Sequence, residues 1–252
     1  MTKQKTDDLL GVGLYTAPEA ARYARVKYGK LSRWLYGKTA VLEPQLGEIE
    51  GQRVVTFLDF AQALSINEIR LTKIPLSRIR EAYRRAQEDY GVEYPFAMKH
   101  GVFVFGDLSY PKKCKLGIFI PGKDSDDQRG FVKKLAYQLT GKNRKNQLLW
   151  SIVQPFSEHL EFNDAGFASE YTAHKAHGHT IVMNPEVRFG KPFLVDVGFE
   201  AETLANAVAV ERSVKRVSRL YHVDESAVRA ALDYHKLLNT PIKPPPPKPL
   251  AA

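Results

Sequence analysis

Positively charged side chains are concentrated in residues 14–38, and their chemistry suits contact with phosphate groups. These 25 residues carry six basic side chains against one acid, Glu19, so their net charge is +5. Arginine and lysine neutralise the phosphates of nucleic acids and hydrogen bond to base edges in the grooves of a duplex. A solvated basic face on an ordinary pair of helices is the alternative interpretation. The six basic residues are Arg22, Arg25, Lys27, Lys30, Arg33 and Lys38.

Two short helices joined by a tight turn must position these side chains. Thr16 is a suitable N-cap, and Glu19 stands three residues later, as a capping box requires. Two helices at this spacing, of which the second is basic, match a helix-turn-helix that reads DNA in the major groove. The apolar side of the second helix is supplied by Val26, Leu31, Trp34 and Leu35.

The sequence also suggests which side chains of this unit touch which part of the DNA. Lys30, Ser32 and Arg33 are predicted to lie in the groove, and Tyr28 is a candidate anchor. A loop at residues 43–51, punctuated by glycine and proline, leads into a short β-type run, and this order is typical of a wing that touches the phosphate backbone. The predicted phosphate contacts are Arg22, Arg25, Lys27, Lys38 and Arg53.

The composition indicates a globular chain with an anionic partner. The 252 residues carry a formal net charge of +9, with a pI near 9.4, which favours nucleic acid as that partner. No run of about 18 apolar residues occurs, so no membrane-spanning helix is predicted. The first ten residues lack the apolar core of a signal peptide, so we expect a cytoplasmic protein. The single cysteine, Cys114, excludes an internal disulfide and a cysteine-based zinc finger.

Two further helices and a β-containing middle region are predicted after the wing. Apolar spacing places helices at 58–71 and 75–91, and the second carries four arginines that suit solvent and DNA equally well. Residues 1–98 would then form the DNA-binding domain with two supporting helices, and residues 99–180 a mixed α/β region that serves dimerisation. In and beside that region we expect short strands at 96–98, 102–105, 115–120, 168–172 and 180–183, and a helix at 147–160.

Residues 181–238 are predicted to form a C-terminal unit whose three helices lie at 202–211, 213–221 and 224–238. From residue 202 to 238 there are six basic and five acidic side chains, so this unit is far less basic than the N-terminal one. The geometry again suggests a helix-turn-helix, but the charge balance favours contact with protein over contact with phosphates. Residues 239–252 contain the run PIKPPPPKP, which can form neither helix nor strand, and a disordered tail is expected there.

The sequence gives no positive sign of catalysis or of metal and cofactor binding. His174, His177 and His179 are closely spaced, but no cysteine lies near them and no carboxylate is closer than Glu170, so we predict no metal site. No G-x-S-x-G, Walker A, G-x-G-x-x-G or H-E-x-x-H pattern occurs. We therefore expect a protein that is not an enzyme and has no cofactor.

Two stretches of the chain resemble known families. Residues 15–35, which begin YTAPEAA and end WL, resemble the start of MerR-like and excisionase-like winged helix-turn-helix proteins. Residues 182–192, VMNPEVRFGKP, together with 213–221 and 227–234, are similar to domain-of-unknown-function family 433. The order of the two segments is similar to that of larger antitoxins of the VapB type.

The resemblance implies the antitoxin of a type II toxin–antitoxin system, which represses its own promoter and neutralises a PIN-like ribonuclease toxin by direct binding. One departure is LVDVGF at residues 194–199, where family members usually carry a Gly-Thr-Arg-type strand. If that strand shapes a groove for the partner, the choice of partner differs here. The predicted partner-binding residues are Arg188, Phe189, Arg219, Tyr221 and Arg229.

Together these observations predict an α+β protein that is mainly α. It would have an N-terminal winged helix-turn-helix, a small β-containing middle domain and a C-terminal three-helix unit. We expect a homodimer that presents two winged units to a palindromic operator in its own promoter. A stand-alone MerR-like transcriptional regulator without a toxin is one alternative. Another is an RNA-associated or structural adaptor that binds through the basic loops at 112–115 and 142–145.

Overall fold

The computed structural model describes residues 11–99, 101–105, 115–119, 148–149 and 159–240. Seven α-helices and three small antiparallel sheets occupy these residues, which confirms an α+β fold that is mainly α. The helices are α1 (Ala17–Tyr23), α2 (Tyr28–Tyr36), α3 (Phe57–Leu71), α4 (Leu76–Tyr90), α5 (Ala201–Glu211), α6 (Val214–Tyr221) and α7 (Glu225–Asn239).

The first two helices begin and end where local sequence signals place them. The Thr16 side chain accepts a hydrogen bond from the backbone N–H of Glu19, and the Glu19 carboxylate accepts one from the backbone N–H of Thr16 at 2.8 Å. The predicted capping box of α1 is therefore confirmed. Helix α2 ends at Gly37, and its buried side chains are Leu31, Trp34 and Leu35.

The predicted wing is present as a hairpin of two strands, which belong to a three-stranded sheet. Strands β2 (Glu48–Ile49) and β3 (Gln52–Thr56) are antiparallel, and β3 pairs on its other side with β1 (Leu14–Thr16). The two residues of the hairpin turn, Glu50 and Gly51, both have positive φ, at 52° and 79°. Positive φ at both positions is what a type I′ turn requires.

Two longer helices contribute a third of the buried residues of the first apolar core. Helix α3 begins at a second capping box, in which Thr56 and Asp59 bond each other's backbone N–H groups. Helix α4 follows Pro75 and ends at Gly91, whose left-handed φ of 63° fits glycine. Both helices lie where the sequence predicted them. The largest fully buried side chains of this core include Phe57, Phe60, Ile66, Ile69, Ile79 and Phe96.

The middle of the chain forms one sheet from strands β4 (Gly101–Phe105), β5 (Lys115–Phe119) and β6 (Leu148–Leu149), in the order β5-β4-β6. Strands β4 and β5 agree with the sequence prediction, but the predicted strand at 96–98 is wrong, because Pro95–Ala97 form a short 3-10 helix. The predicted helix at 147–160 is wrong at both ends, because β6 lies near its start and a further strand begins at its last residue. Pairing of β6 with β4 is a long-range contact, which helical spacing along the chain cannot reveal.

A four-stranded antiparallel sheet links the middle of the chain to the C-terminal helices. Its strands are β7 (Leu160–Phe162), β8 (Ala168–Ala176), β9 (His179–Met183) and β10 (Phe193–Leu194), in the order β10-β9-β8-β7. Residues of this sheet belong to two apolar cores. Met183 and Ala168 are buried in the first core, whereas Ile181 and Leu194 are buried in the second.

The C-terminal helices have the predicted boundaries to within a residue or two. Ser213 caps α6 by accepting a hydrogen bond from the backbone N–H of Arg216, and His222 ends that helix in the left-handed conformation. Asp224 occupies the N-cap position of α7. The second core is formed by α5, α6 and α7 with the sheet, and its fully buried side chains include Leu204, Val217, Ala227, Val228 and Ala231.

The N-terminal and C-terminal units are packed against each other. Helix α7 contacts α1, β8 and β9. In the first core the Phe60 ring of α3 lies edge-on to Tyr171 of β8, with ring centroids 5.6 Å apart. Apolar packing therefore crosses both predicted boundaries, at residues 98–99 and 180–181. The predicted tail after residue 240, Cys114 and the two basic loops at 112–115 and 142–145 lie outside the described residues, apart from Lys115 in β5.

Candidate nucleic-acid interface

The turn between α1 and α2 has the hydrogen bonds of a Schellman motif. The backbone N–H of Val26 bonds the carbonyl of Ala21 at 2.8 Å, and that of Arg25 bonds the carbonyl of Arg22 at 3.0 Å. Arg25 has a left-handed φ of 53°, in the position that glycine usually takes. The turn directs α2 away from α1 after four residues, which is the spacing of a helix-turn-helix.

Helix α2 has one buried apolar side and one exposed basic side. Lys27, Lys30 and Arg33 are spaced three residues apart and are exposed, so they share the side opposite the core. None of the acidic side chains in the described residues lies within ion-pair distance of these three cations. Their charges are therefore available to an external anion. The buried side holds Leu31, Trp34 and Leu35, each at most 3% exposed.

The remaining groove candidates are distributed around the same helix. Tyr28, in the first turn of α2, is 51% exposed, so it is free to contact a ligand. Ser32 is half-buried, and Lys38 is exposed just beyond the end of the helix. Trp34 belongs to the core, as the sequence indicated.

Arg22 and Arg25 differ from the cations of α2. The Arg22 guanidinium forms an ion pair with the Glu202 carboxylate of α5 at 2.8 Å and lies 3.4 Å from the Nδ1 atom of His235. Its charge is thus neutralised within the chain, in a contact that ties α1 to the C-terminal helices. Arg25 is half-buried, and its Nε atom is buried without a hydrogen-bond partner among the described residues.

The wing carries less positive charge than the sequence prediction required. Arg53 lies 3.6 Å from the Glu48 carboxylate on the neighbouring strand and stacks over the Tyr36 ring, 5.1 Å from its centroid. Burial and the nearby Asp59 carboxylate raise the pKa of Tyr36 to about 12, so its hydroxyl stays protonated and donates to the carbonyl of Val54. Glu50 is exposed at the hairpin tip. The wing therefore presents acids beside its one arginine.

The four arginines of α4 are engaged within the chain. Arg78 and Arg85 both pair with Glu81, at 3.1 and 2.7 Å, and Arg84 pairs with Glu88 at 2.5 Å. Arg80 hydrogen bonds the carbonyls of Thr39 and Ala40 in the loop after α2. Of the two interpretations left open by the sequence, the paired surface face fits these contacts better than DNA binding does.

The Arg-Phe-Gly string at residues 188–190 forms a strained loop beside the N-terminal sheet. Arg188, Phe189 and Gly190 all have positive φ, at 51°, 55° and 83°. The carbonyl of Gly190 accepts a hydrogen bond from the buried Tyr15 hydroxyl at 2.8 Å, and burial raises the pKa of that hydroxyl. This loop leaves Phe189 62% exposed. Consecutive left-handed non-glycine residues are costly, and such strain is often kept at functional sites.

The other predicted partner-binding residues occupy different environments on α6 and α7. Arg219 is exposed and has no ion pair within the described part of the chain. Tyr221 is half-buried, with its ring edge-on to Phe199 at 5.4 Å, so it helps to hold α6 in place. Arg229 pairs with Glu225 one turn earlier on α7, at 3.2 Å.

Two of the three closely spaced histidines, His177 and His179, bond to carboxylates from other elements, which the sequence could not show. His179 lies 2.5 Å from Asp196 through Nδ1 and 3.0 Å from the Ser226 hydroxyl through Nε2. His177 lies 2.8 Å from Asp233, and this bond is the main cause that lowers the Asp233 pKa. Within the described ranges no three His, Cys, Asp or Glu side chains are grouped as metal ligands. These contacts join the β8–β9 hairpin to α7.

Helices of membrane-spanning length and hydropathy are absent from the described part of the chain.

Comparisons with known proteins agree with this architecture. Residues 181–235 match the family described as protein of unknown function DUF433, which confirms the similarity seen in the sequence. The matched segment runs from β9 through the strained loop into α7. The X-ray structure of Rv2018 from Mycobacterium tuberculosis is similar in fold, with a TM-score of 0.61 and 20% identity over 89% of this chain and 99% of that chain. A search of curated proteins finds no significant match.

Proposed function

We propose that this protein binds duplex DNA through α2, which enters the major groove as the second helix of a winged helix-turn-helix. The observation that carries the proposal is the row of three exposed cations, Lys27, Lys30 and Arg33, which have no ion pair among the described residues and lie opposite a fully buried apolar side. A solvated basic face would be expected to pair with neighbouring acids, as the arginines of α4 do. The first turns of α2 would contact bases, because the N-terminal part of a recognition helix points into the groove.

Three further residues extend this interface. Tyr28 and Lys38 flank the row of cations at the two ends of α2, and Ser32 lies between them. Arg53 would add at most one phosphate contact from the wing, because Glu48 competes for its guanidinium. Arg22 is better understood as an internal contact than as a phosphate ligand, since Glu202 neutralises it.

The biological role that we propose is that of an antitoxin which represses its own promoter as a homodimer and neutralises a PIN-like ribonuclease by direct binding. Residues 15–35 resemble MerR-like and excisionase-like proteins, and residues 182–192 resemble family 433. The order of these two segments is similar to that of larger VapB-type antitoxins, which supports this role. The exposed Phe189 on a strained loop supplies an apolar anchor for a protein partner, beside Arg188. A stand-alone MerR-like regulator would use the same α2 and would need no such partner.

Binding of DNA is tested with the purified full-length chain and duplex fragments from the region upstream of its own gene. We expect Arg33→Glu to weaken binding at least tenfold, as measured by fluorescence anisotropy. The thermal midpoint should stay nearly constant, because Arg33 is exposed and unpaired. Single-stranded and double-stranded RNA of equal length serve as competitors. Equal binding by the variant, or stronger competition from RNA than from duplex DNA, would contradict the proposal.

The antitoxin role is tested by co-purification from the native host. A stoichiometric small partner that degrades RNA after release would support it, and Phe189→Ala should then weaken the complex without changing affinity for DNA. A chain that elutes alone, with intact DNA binding, would leave the stand-alone regulator as the function. A neighbouring gene that encodes a short, acid-rich nuclease would also favour the antitoxin role, because that nuclease would be the candidate toxin.

A further inference from the structure

A basic cleft lies where the helix-turn-helix meets the last helix of the chain. Its volume is about 540 Å³, and it is bounded by the turn between α1 and α2, the end of α3 and the end of α7. Residues far apart in the sequence thus form one concave surface. The polar residues that line it are Arg22, Arg25, Lys27, Lys30, Asn67, Asn239 and Thr240.

Three of the four positive charges in the basic cleft have no ion pair among the described residues. Four of its lining residues are basic and none is acidic. Arg22 has its partner in Glu202, but Arg25, Lys27 and Lys30 have no ion pair among the described residues. Glu68 follows Asn67 on α3, yet it does not line the cleft. Burial raises the pKa of Glu68, and no ion pair joins its carboxylate to Arg25 among the described residues.

Arg25 is the least satisfied of these cations. Its Nε atom is buried and lacks a hydrogen-bond partner within the described residues, and its backbone is left-handed. A buried donor without a partner is costly, so Arg25 has hydrogen-bonding capacity that the described residues do not satisfy, and its side chain lines the cleft. The guanidinium group is planar and matches the oxygens of a phosphate with two parallel N–H groups.

The rest of the lining suits a group of this kind. Asn67 and Asn239 carry amide donors, and Thr240 carries a hydroxyl that is bonded to the carbonyl of Lys236 at 2.7 Å. Apolar side chains, including Leu71 and Leu238, form the remainder of the surface. Residues 241–252 contain two lysines and no acidic side chain.

We propose that the basic cleft binds a phosphate group, held by Arg25 with Lys27 and Lys30 and closed on one side by Asn239 and Thr240 of α7. The phosphate comes either from the backbone of DNA lying against α2, in which case the inference rests on the proposed function, or from a free phosphate compound. In both cases the end of α7 takes part in the site. An anion in the cleft therefore stabilises the packing of the C-terminal unit on the helix-turn-helix.

The test compares two cleft variants with a matched control. Arg25→Gln removes the unsatisfied guanidinium, and Thr240→Glu places a carboxylate at the exposed rim. Arg212→Gln is the control, because Arg212 is likewise an arginine with a left-handed φ, 53°, but it is exposed and lies outside the cleft. Each full-length protein is titrated with inorganic phosphate at constant ionic strength, with the thermal midpoint as readout, and separately with duplex DNA by anisotropy.

We expect each cleft variant to lose at least fivefold in affinity for the phosphate ligand, whereas Arg212→Gln keeps the affinity of the wild type. A loss with inorganic phosphate identifies a free phosphate compound as the source. A loss with duplex DNA alone identifies the DNA backbone. The proposal is overturned if both cleft variants match the control in both titrations. Failure of the wild type to bind any duplex would refute the proposed function. The titration with inorganic phosphate would still show whether the cleft binds a phosphate group. If Arg25→Gln does not fold, Thr240→Glu carries the test by itself.

Discussion

The exposed cations of α2 allow a quantitative prediction about the salt dependence of DNA binding. The double substitution Lys30→Gln and Arg33→Gln removes two charges that have no ion pair among the described residues, and it leaves the buried side of the helix intact. Each cation that neutralises one phosphate of B-DNA contributes about 0.9 to the slope of log K against log salt concentration. The slope of the variant should therefore be less steep than that of the wild type by about 1.8 in magnitude.

The same relation gives the loss of affinity at each salt concentration. Counterion release by two contacts is worth about 30-fold in affinity at about 0.15 M salt and about 200-fold at about 0.05 M. The two proteins should converge as the salt concentration approaches about 1 M, where this contribution vanishes. The thermal midpoint should change little, because surface substitutions away from packing sites are usually close to neutral.

The measurement is fluorescence anisotropy of a labelled duplex over a range of salt concentrations, with Arg84→Gln and Arg85→Gln as the matched control. That control removes the same two positive charges from α4, where both arginines already pair with glutamates. We expect its slope to stay close to that of the wild type. If the control and the α2 variant lose the same amount, the effect is one of net charge, and the assignment of α2 to the DNA groove is refuted. An unchanged slope in the α2 variant refutes it as well.

Three further predictions concern stability and are checked by thermal or urea unfolding. Gly29→Ala should stabilise the protein by up to about 1 kcal/mol, because a Cβ there meets no atom within 4 Å and alanine favours helix. An unchanged free energy of unfolding would contradict this prediction. Burial raises the pKa of Asp59 to about 6 from 3.8, so the folded state holds this proton more tightly than the unfolded one. The free energy of unfolding should then fall by up to about 3 kcal/mol as the pH rises from about 4 to about 6, and Asp59→Asn should lack this component. Gly190→Ala should destabilise by about 2 kcal/mol or more, since its Cβ would lie 2.2 Å from the Tyr15 hydroxyl at a φ of 83°; a neutral effect would contradict the strained loop described above.

Features that depend on neighbouring residues could be predicted from the sequence. The capping box of Thr16 and Glu19 closes within four residues, and the Ser213 cap and the Gly91 end of α4 are equally local. Helical spacing identified the buried side of α2, and the string around residues 182–192 identified the similarity to DUF433 that residues 181–235 show. The helix predicted at residues 147–160 was wrong because β6 depends on a long-range contact. It pairs with a strand that lies more than forty residues earlier.

That α2 is a basic helix with an apolar side follows from the sequence, since charge and spacing are properties of the chain. Which of the cations have no ion pair among the described residues depends on how the chain folds. In the sequence, Arg22 and Lys27 are both basic residues of the same helix-turn-helix. In the structure, Arg22 bonds Glu202, 180 residues away, whereas Lys27 is exposed. The basic cleft likewise exists only because the end of α7 packs beside the turn after α1. Ion pairs and cavities depend on distances in space, and packing of the C-terminal unit sets those distances.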